Sequence, residues 1–136
     1  MPPASANTKS KRLSRPATTA PTPQMKFRLR VTAGDAIAIG PGKIALIEAI
    51  AETGSITAAA RSLDMSYRRA WMLLDALNRS LAQPAVDSAK GGQHGGGSEV
   101  TASGLKLIAL YRGIEARATQ TCRADVSKLL KMLKRE

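Results

Sequence analysis

The 136-residue chain has one cysteine, one histidine and one tryptophan, and the first two scarcities each close a class of function. Cys122 alone cannot build an internal disulfide framework, and a single thiol suits a reducing cytoplasm. It reads as a small packing residue, since nothing beside it in sequence argues for a lowered thiol pKa. With His94 alone, neither a His-rich metal site nor a Ser-His-Asp arrangement can form within one chain. Glu48 and Glu52 stand one helical turn apart but have no His or metal partner nearby in sequence, so they read as a solvated helix face. No nucleophile, base and acid come together, and the chain reads as no enzyme, with no cofactor. Also missing is an apolar run near the ~20 residues that a bilayer span needs.

What is abundant is positive charge. Lysine and arginine total 21 against 10 acidic residues, a formal charge of +11. Such an excess attracts polyanions, and each phosphate neutralised by Lys or Arg releases a condensed counterion. Residues 1–24 carry Lys9, Lys11, Arg12 and Arg15, no acid, and five prolines. Little apolar surface is there to offset ordering entropy, so a disordered basic N-terminal arm is expected. The arm has no apolar core of a secretory signal, and its prolines oppose the amphipathic helix of a transit peptide. It reads either as a source of non-specific DNA affinity or as an inert extension, with Met25 a second candidate start.

The folded part is expected over 25–136. Met25–Val31 alternates Phe27, Leu29 and Val31 with Lys26, Arg28 and Arg30, the period of a half-buried strand. Thr32–Asp35 reads as a turn with Gly34 at positive φ, and 36–39 as a second short strand. Pro41 suits the first turn of a helix over 42–53, whose buried face would be Ile44, Ile47, Ile50 and Ala51. Gly54 is placed to end that helix and Ser55 to cap the next, 56–63, whose Ala58, Ala59 and Ala60 allow close approach. Asp64 tolerates a left-handed turn. Ser66 then caps a third helix, about 67–81, with Ala70, Trp71, Leu74, Leu77 and Leu81 as its buried stripe. Trp71 is expected in the core rather than stacked on a base.

Two helices joined by a tight turn, the second opening on Tyr67, Arg68 and Arg69, form the pattern of a helix-turn-helix. Arginine can donate two hydrogen bonds to guanine O6 and N7, worth ~1–3 kcal/mol of discrimination. Beyond Pro84, strands near 85–88 and 98–100 would flank a glycine-rich segment, 89–97. That segment lacks the Lys-Ser/Thr ending of a P-loop. It fits a hairpin wing, in which glycines let backbone N–H groups approach phosphates and Lys90, Gln93 and His94 supply donors. Thr101 can cap a last helix, about 102–134, with Leu107, Tyr111, Ile114, Ala118, Thr121, Val126, Leu129 and Leu133 as its stripe. A helix this long exceeds what so small a domain can cover, so its remainder is expected to pack on a second subunit.

These residues also carry a family resemblance. Gly54-Ser-Ile-Thr-Ala-Ala-Ala-Arg61 resembles the helix-turn-helix of LysR-type regulators. Met65-Ser-Tyr-Arg-Arg-Ala-Trp71, then Lys90-Gly-Gly-Gln-His-Gly-Gly-Gly-Ser-Glu-Val-Thr101, then Leu105-Lys-Leu-Ile-Ala-Leu-Tyr111 are similar to the winged-helix domain of ModE-type molybdate-responsive regulators. The similarity covers roughly 25–120. It implies a dimer on a palindromic operator, read through Ser66, Tyr67, Arg68 and Arg69. Such regulators also carry C-terminal molybdate-binding domains. The sequence ends at Glu136, so the expectation is a DNA binder that lacks that domain, with no effector or with a separate molybdate-binding protein as partner.

The expected fold is thus mainly α with a small β wing: a winged helix-turn-helix with a long C-terminal dimerisation helix. The expected function is sequence-specific regulation of transcription on double-stranded DNA, by a homodimer in the bacterial cytoplasm, at the nucleoid and away from membranes. The DNA-contact candidates are Ser55, Thr57, Ser66, Tyr67, Arg68, Arg69, Lys90, Gln93 and His94. Lys26, Arg28 and Arg30 are further candidates for phosphate. The alternatives are a non-specific architectural DNA- or RNA-binding protein and a winged helix that serves protein interaction.

Overall fold

A computed structural model describes residues 21–88 and 97–134. Residues 1–20, most of the expected basic arm, and Lys90, Gln93 and His94 at the expected wing tip lie outside the described residues. Two compact units are distinguished, one of them Phe27–Thr121.

In that unit the chain enters through a hairpin, β1 (Val31–Ala33) and β2 (Ala36–Ile39), antiparallel and joined by a two-residue turn with Gly34 at φ 63°. The strand expected from Met25 to Val31 is therefore mostly absent: 21–30 has no regular structure, and pairing begins only at Val31. The period-two alternation appears as burial only over Phe27–Arg30, where Phe27 and Leu29 are half-buried and Arg28 and Arg30 exposed; Val31, expected on the buried face, is exposed. What is missing is a partner, because β2 is consumed by Val31–Ala33. Leu29 instead places its carbonyl on the Tyr111 hydroxyl, which donates to it at 2.6 Å.

Three helices follow. α1 (Pro41–Thr53) starts at an extended Gly40 with Pro41 in its first turn and stops at Gly54, whose φ of 74° lets its N–H return to the Ile50 carbonyl at 2.7 Å. It is the central helix. Ile44, Leu46, Ile47, Ala49 and Ile50 are all buried, whereas Ala51, expected on that face, is exposed. α2 (Ile56–Ser62) is short and packs Ala59 and Ala60 into the core. Asp64, at φ 60°, turns the chain into α3 (Tyr67–Ser80). Ala70, Leu74 and Leu77 of α3 are buried and Leu81 is half-buried. Trp71 is 45% exposed, which corrects its expected place in the core. Consecutive helical residues are ~100° apart, so a stripe centred on Ala70 and Leu74 carries Trp71 around to its edge.

The second hairpin, β3 (Val86–Ser88) and β4 (Ser98–Val100), pairs Val86 with Val100 and Ser88 with Ser98. α4 (Ala102–Thr121) begins at Thr101, whose hydroxyl accepts the Gly104 N–H at 3.0 Å and donates to the Pro84 carbonyl at 2.7 Å. Gly104 is buried against the hairpin: a Cβ there would meet the Ala85 carbonyl oxygen and stand 2.7 Å from Val100 Cγ1. α1 touches α2, α3, β4 and α4, so one apolar helix ties the unit together.

The expected single helix over 102–134 is two. α4 ends at Thr121, and α5 (Arg123–Lys131) starts anew behind Cys122, whose ψ of 8° departs from helical values. The preceding Thr119-Gln120-Thr121 contains two β-branched residues of low helix propensity. No residue of α5 is buried. No helix among the described residues is long and apolar enough to cross a membrane.

Candidate nucleic-acid interface

The surface of interest is the first turn of α3 and what frames it. Ser66 sits in extended backbone and its Oγ accepts the Arg69 N–H at 3.0 Å, which fixes where the helix begins. Such a cap is worth about 1 kcal/mol. Tyr67, Arg68 and Arg69 follow directly, all exposed, with no acidic residue in the turn. The opposite side of the same helix is anchored by Ala70, Leu74 and Leu77. The sequence thus projects its basic first turn outward from a rigid support.

The arginines of this turn make no ion pair among the described residues. Among the described residues, ion pairs are made by Arg79 with Asp75 and by Arg112 with Glu48 and Glu115. Arg61, in the last turn of α2, and Arg68 and Arg69 pair with no carboxylate there. A separate charged cluster lies at the joint of α1 and α4. A hydrogen bond from Arg112 holds the Glu48 carboxyl below its ordinary pKa, against the opposing effect of burial. Arg112 is raised in turn, first by its bond to Glu48 and then by that to Glu115. Burial pushes the Tyr111 hydroxyl up. These groups hold the scaffold. Among the described residues no group of three His, Cys, Asp or Glu side chains is placed to hold a metal.

Ser55 and Thr57 stand at the opposite end of α2 from Arg61. Ser55 Oγ accepts the Ala58 N–H at 3.0 Å, and Thr57 is exposed. The Ser98 N–H donates to the Gly54 carbonyl at 3.0 Å, so β4 is fastened next to Ser55 at its first residue, the end of the hairpin away from Val86 and Val100. Asn78 fastens the other strand: its Oδ1 accepts the Ala85 N–H at 2.8 Å and its Nδ2 donates to the Val86 carbonyl at 3.2 Å. The structure therefore brings Ser66, Tyr67, Arg68 and Arg69 together on one helical turn, and ties α3 to the root of the hairpin. Arg28 and Arg30 are exposed in the segment before β1.

Sequence reasoning missed two things here. The exposure of Trp71 and Met72 extends the presented face of α3 by a turn; helical phasing around Ala70 and Leu74 was the available signal. The Asn78 clamp had none, since a lone asparagine late in a helix looks like a solvated polar residue.

Two helices across a tight turn, the second capped and cation-bearing, followed by an antiparallel hairpin, define a winged helix-turn-helix DNA-binding domain. Residues 42–105 match the bacterial regulatory helix-turn-helix proteins of the lysR family. The chain is 50% identical over 78 residues to the molybdenum-pterin-binding protein MopB of Rhodobacter capsulatus, covering 57% of this chain and 29% of that protein. It is 38% identical over 78 residues to the molybdenum transport protein ModE of Azotobacter vinelandii, covering 57% and 29%. Against the DNA-binding transcriptional dual regulator ModE of Escherichia coli K12 it is 38% identical over 71 residues, covering 52% and 27%. Residues 42–105 are thus similar to the lysR-type helix-turn-helix, and relatives matched over just over half of the chain include ModE and Mop proteins. The chain spans about three tenths of the length of these relatives.

Proposed function

We propose that the chain is the DNA-reading part of a ModE-type transcriptional regulator, binding a specific duplex site through the first turn of α3. The observation that carries this reading is the Ser66-capped turn, with Tyr67, Arg68 and Arg69 exposed and the two arginines free of carboxylate partners among the described residues. Ser55 and Thr57 at the start of α2 contact phosphate, as do Lys90, Gln93 and His94 of the wing. Binding occludes or recruits polymerase and turns nothing over. The site of action is the cytoplasm, at the nucleoid.

The reading includes a homodimer. Leu105, Leu110 and Ile114 of α4 are exposed, and Leu110 and Ile114 lie four residues apart on one face. A second copy of α4 is the occupant such a stripe fits, and a two-fold dimer would meet two half-sites about one helical turn, ~34–36 Å, apart. The signal in this reading is a molybdenum compound, in keeping with the molybdenum in the relatives' names.

The test is selection of bound fragments from genomic DNA by the full chain, with and without molybdate. A palindromic motif, lost in the Arg68→Ala/Arg69→Ala double variant, supports the reading. Equal affinity for random DNA at 150–200 mM salt would replace it with a non-specific architectural binder.

A further inference from the structure

The chain has four aromatic residues, and they divide into two pairs. Tyr111 is buried and Phe27 half-buried, whereas Tyr67 and Trp71 are 52% and 45% exposed. The exposed pair stands at i and i+4 on α3, one above the other on the same side. Full burial of a large apolar side chain is a substantial gain, and α3 offers buried positions close by, with Ala70 three residues after Tyr67 and Leu74 three after Trp71. Placing the only tryptophan outside that stripe gives the gain up.

What surrounds the pair says what covers it. Arg68 and Arg69 lie in the same turn, Arg61 ends the preceding helix, and none of the three meets a carboxylate among the described residues. An exposed aromatic pair with Arg68 and Arg69 beside it, on the N-terminal side of the Asp75–Arg79 ion pair, suits a polyanion that also offers apolar contacts. The major groove of DNA meets that description, because the thymine 5-methyl is its one apolar feature and phosphates line its edges. The stripe suited to a second copy of the chain is on another helix, α4.

We propose that Tyr67 and Trp71 are specificity-determining residues that contact thymine methyl groups, so that α3 reads apolar as well as hydrogen-bonding features of its site. Four helical residues rise ~6 Å. Base pairs stack at 3.4 Å per strand. The two side chains therefore meet thymines roughly two base pairs apart. This rests on the specific-DNA reading above and adds to it which bases are read and by what.

The experiment uses the selected operator and the full-length protein. Each thymine is replaced in turn by deoxyuridine, which removes the methyl and leaves every hydrogen-bonding group. Affinities are measured for the wild type, Tyr67→Ala and Trp71→Ala, with thermal melts to show that the variants fold. One replacement is expected to weaken the wild type about fourfold, the worth of one buried methyl(ene), and to leave Trp71→Ala unchanged. A second, about two base pairs away, is expected to lose its effect in Tyr67→Ala. Deoxyuridine effects that are absent, or that persist undiminished in both variants, overturn the inference while an Arg68- and Arg69-dependent motif leaves the specific-DNA reading standing. Failure to select any motif overturns both.

Discussion

Arg112 of α4 grips Glu48 of α1 as a fork, Nε to Oε2 at 2.8 Å and Nη2 to Oε1 at 2.7 Å, across 64 residues of sequence. Its remaining Nη1 reaches Glu115 at 2.8 Å. Two-bond guanidinium–carboxylate pairs fix geometry as well as charge. This one locks the helix after the wing onto the central helix. The side chains are 43% and 35% exposed, so solvent screening limits the pair to about 0.5–1 kcal/mol. Because the Glu48 carboxyl is depressed in the folded state, folded protein binds fewer protons there than unfolded protein does. The contribution is therefore complete above the unfolded value of 4.5 and is lost as pH falls through the lower folded one. Arg112→Leu should lower stability at pH 7 and flatten the acid limb below about pH 4.5, as read by urea titrations at several pH values.

Asn78 answers both a donor and an acceptor of the loop that opens the wing, and Ala85, whose N–H it accepts, is fully buried. Removing the side chain strands a buried N–H, at about 1–3 kcal/mol. Asn78→Ala should show that loss in chemical denaturation, with faster amide exchange at Ala85. Asn78→Asp keeps the acceptor and loses the donor to Val86, so it should fall between the two.

Gly104 is a matter of space. It lies inside α4, where alanine would ordinarily favour the helix by up to about 1 kcal/mol. Here the added methyl would run into the Ala85 carbonyl oxygen and Val100, and overpacking of this kind costs about 1–3 kcal/mol. Gly104→Ala should therefore lower the melting temperature. An unchanged or raised Tm would mean that the α4–hairpin contact is looser than described.

The fold was legible where local signals agree with tertiary demand. Gly54 at positive φ, Ser55 and Ser66 as caps, Asp64 in the turn and Thr101 ahead of α4 all fall where their chemistry suggests. It was illegible where a pattern has two causes. The alternation over Phe27–Arg30 reports one-sided burial, which a strand and an unpaired extended segment share. The stripe spacing groups Trp71 with Ala70 and Leu74, whereas its angle from Ala70 decides. The packing of Gly104 has no local signal, because only the fold brings Ala85 over it. The two-helix terminus shows the same limit: the apolar spacing runs through Cys122 and does not register a break in backbone hydrogen bonding.

The two arginines of the α3 turn should separate by function when substituted singly. One that forks onto a guanine costs about 1–3 kcal/mol on the selected operator and little on random duplex. One that neutralises phosphate weakens both alike and lowers the slope of log K against log salt by about 1. Arg79 provides the control on the same helix: it is bound to Asp75 at 2.8 Å and its side chain is 74% exposed. Its loss should alter operator affinity less than twofold, because its charge is already answered within the protein. Fluorescence titrations of Arg68→Ala, Arg69→Ala and Arg79→Ala over a range of salt concentrations make the comparison. Equal weakening by all three would mean that summed charge holds the DNA, and that the capped turn carries no sequence information.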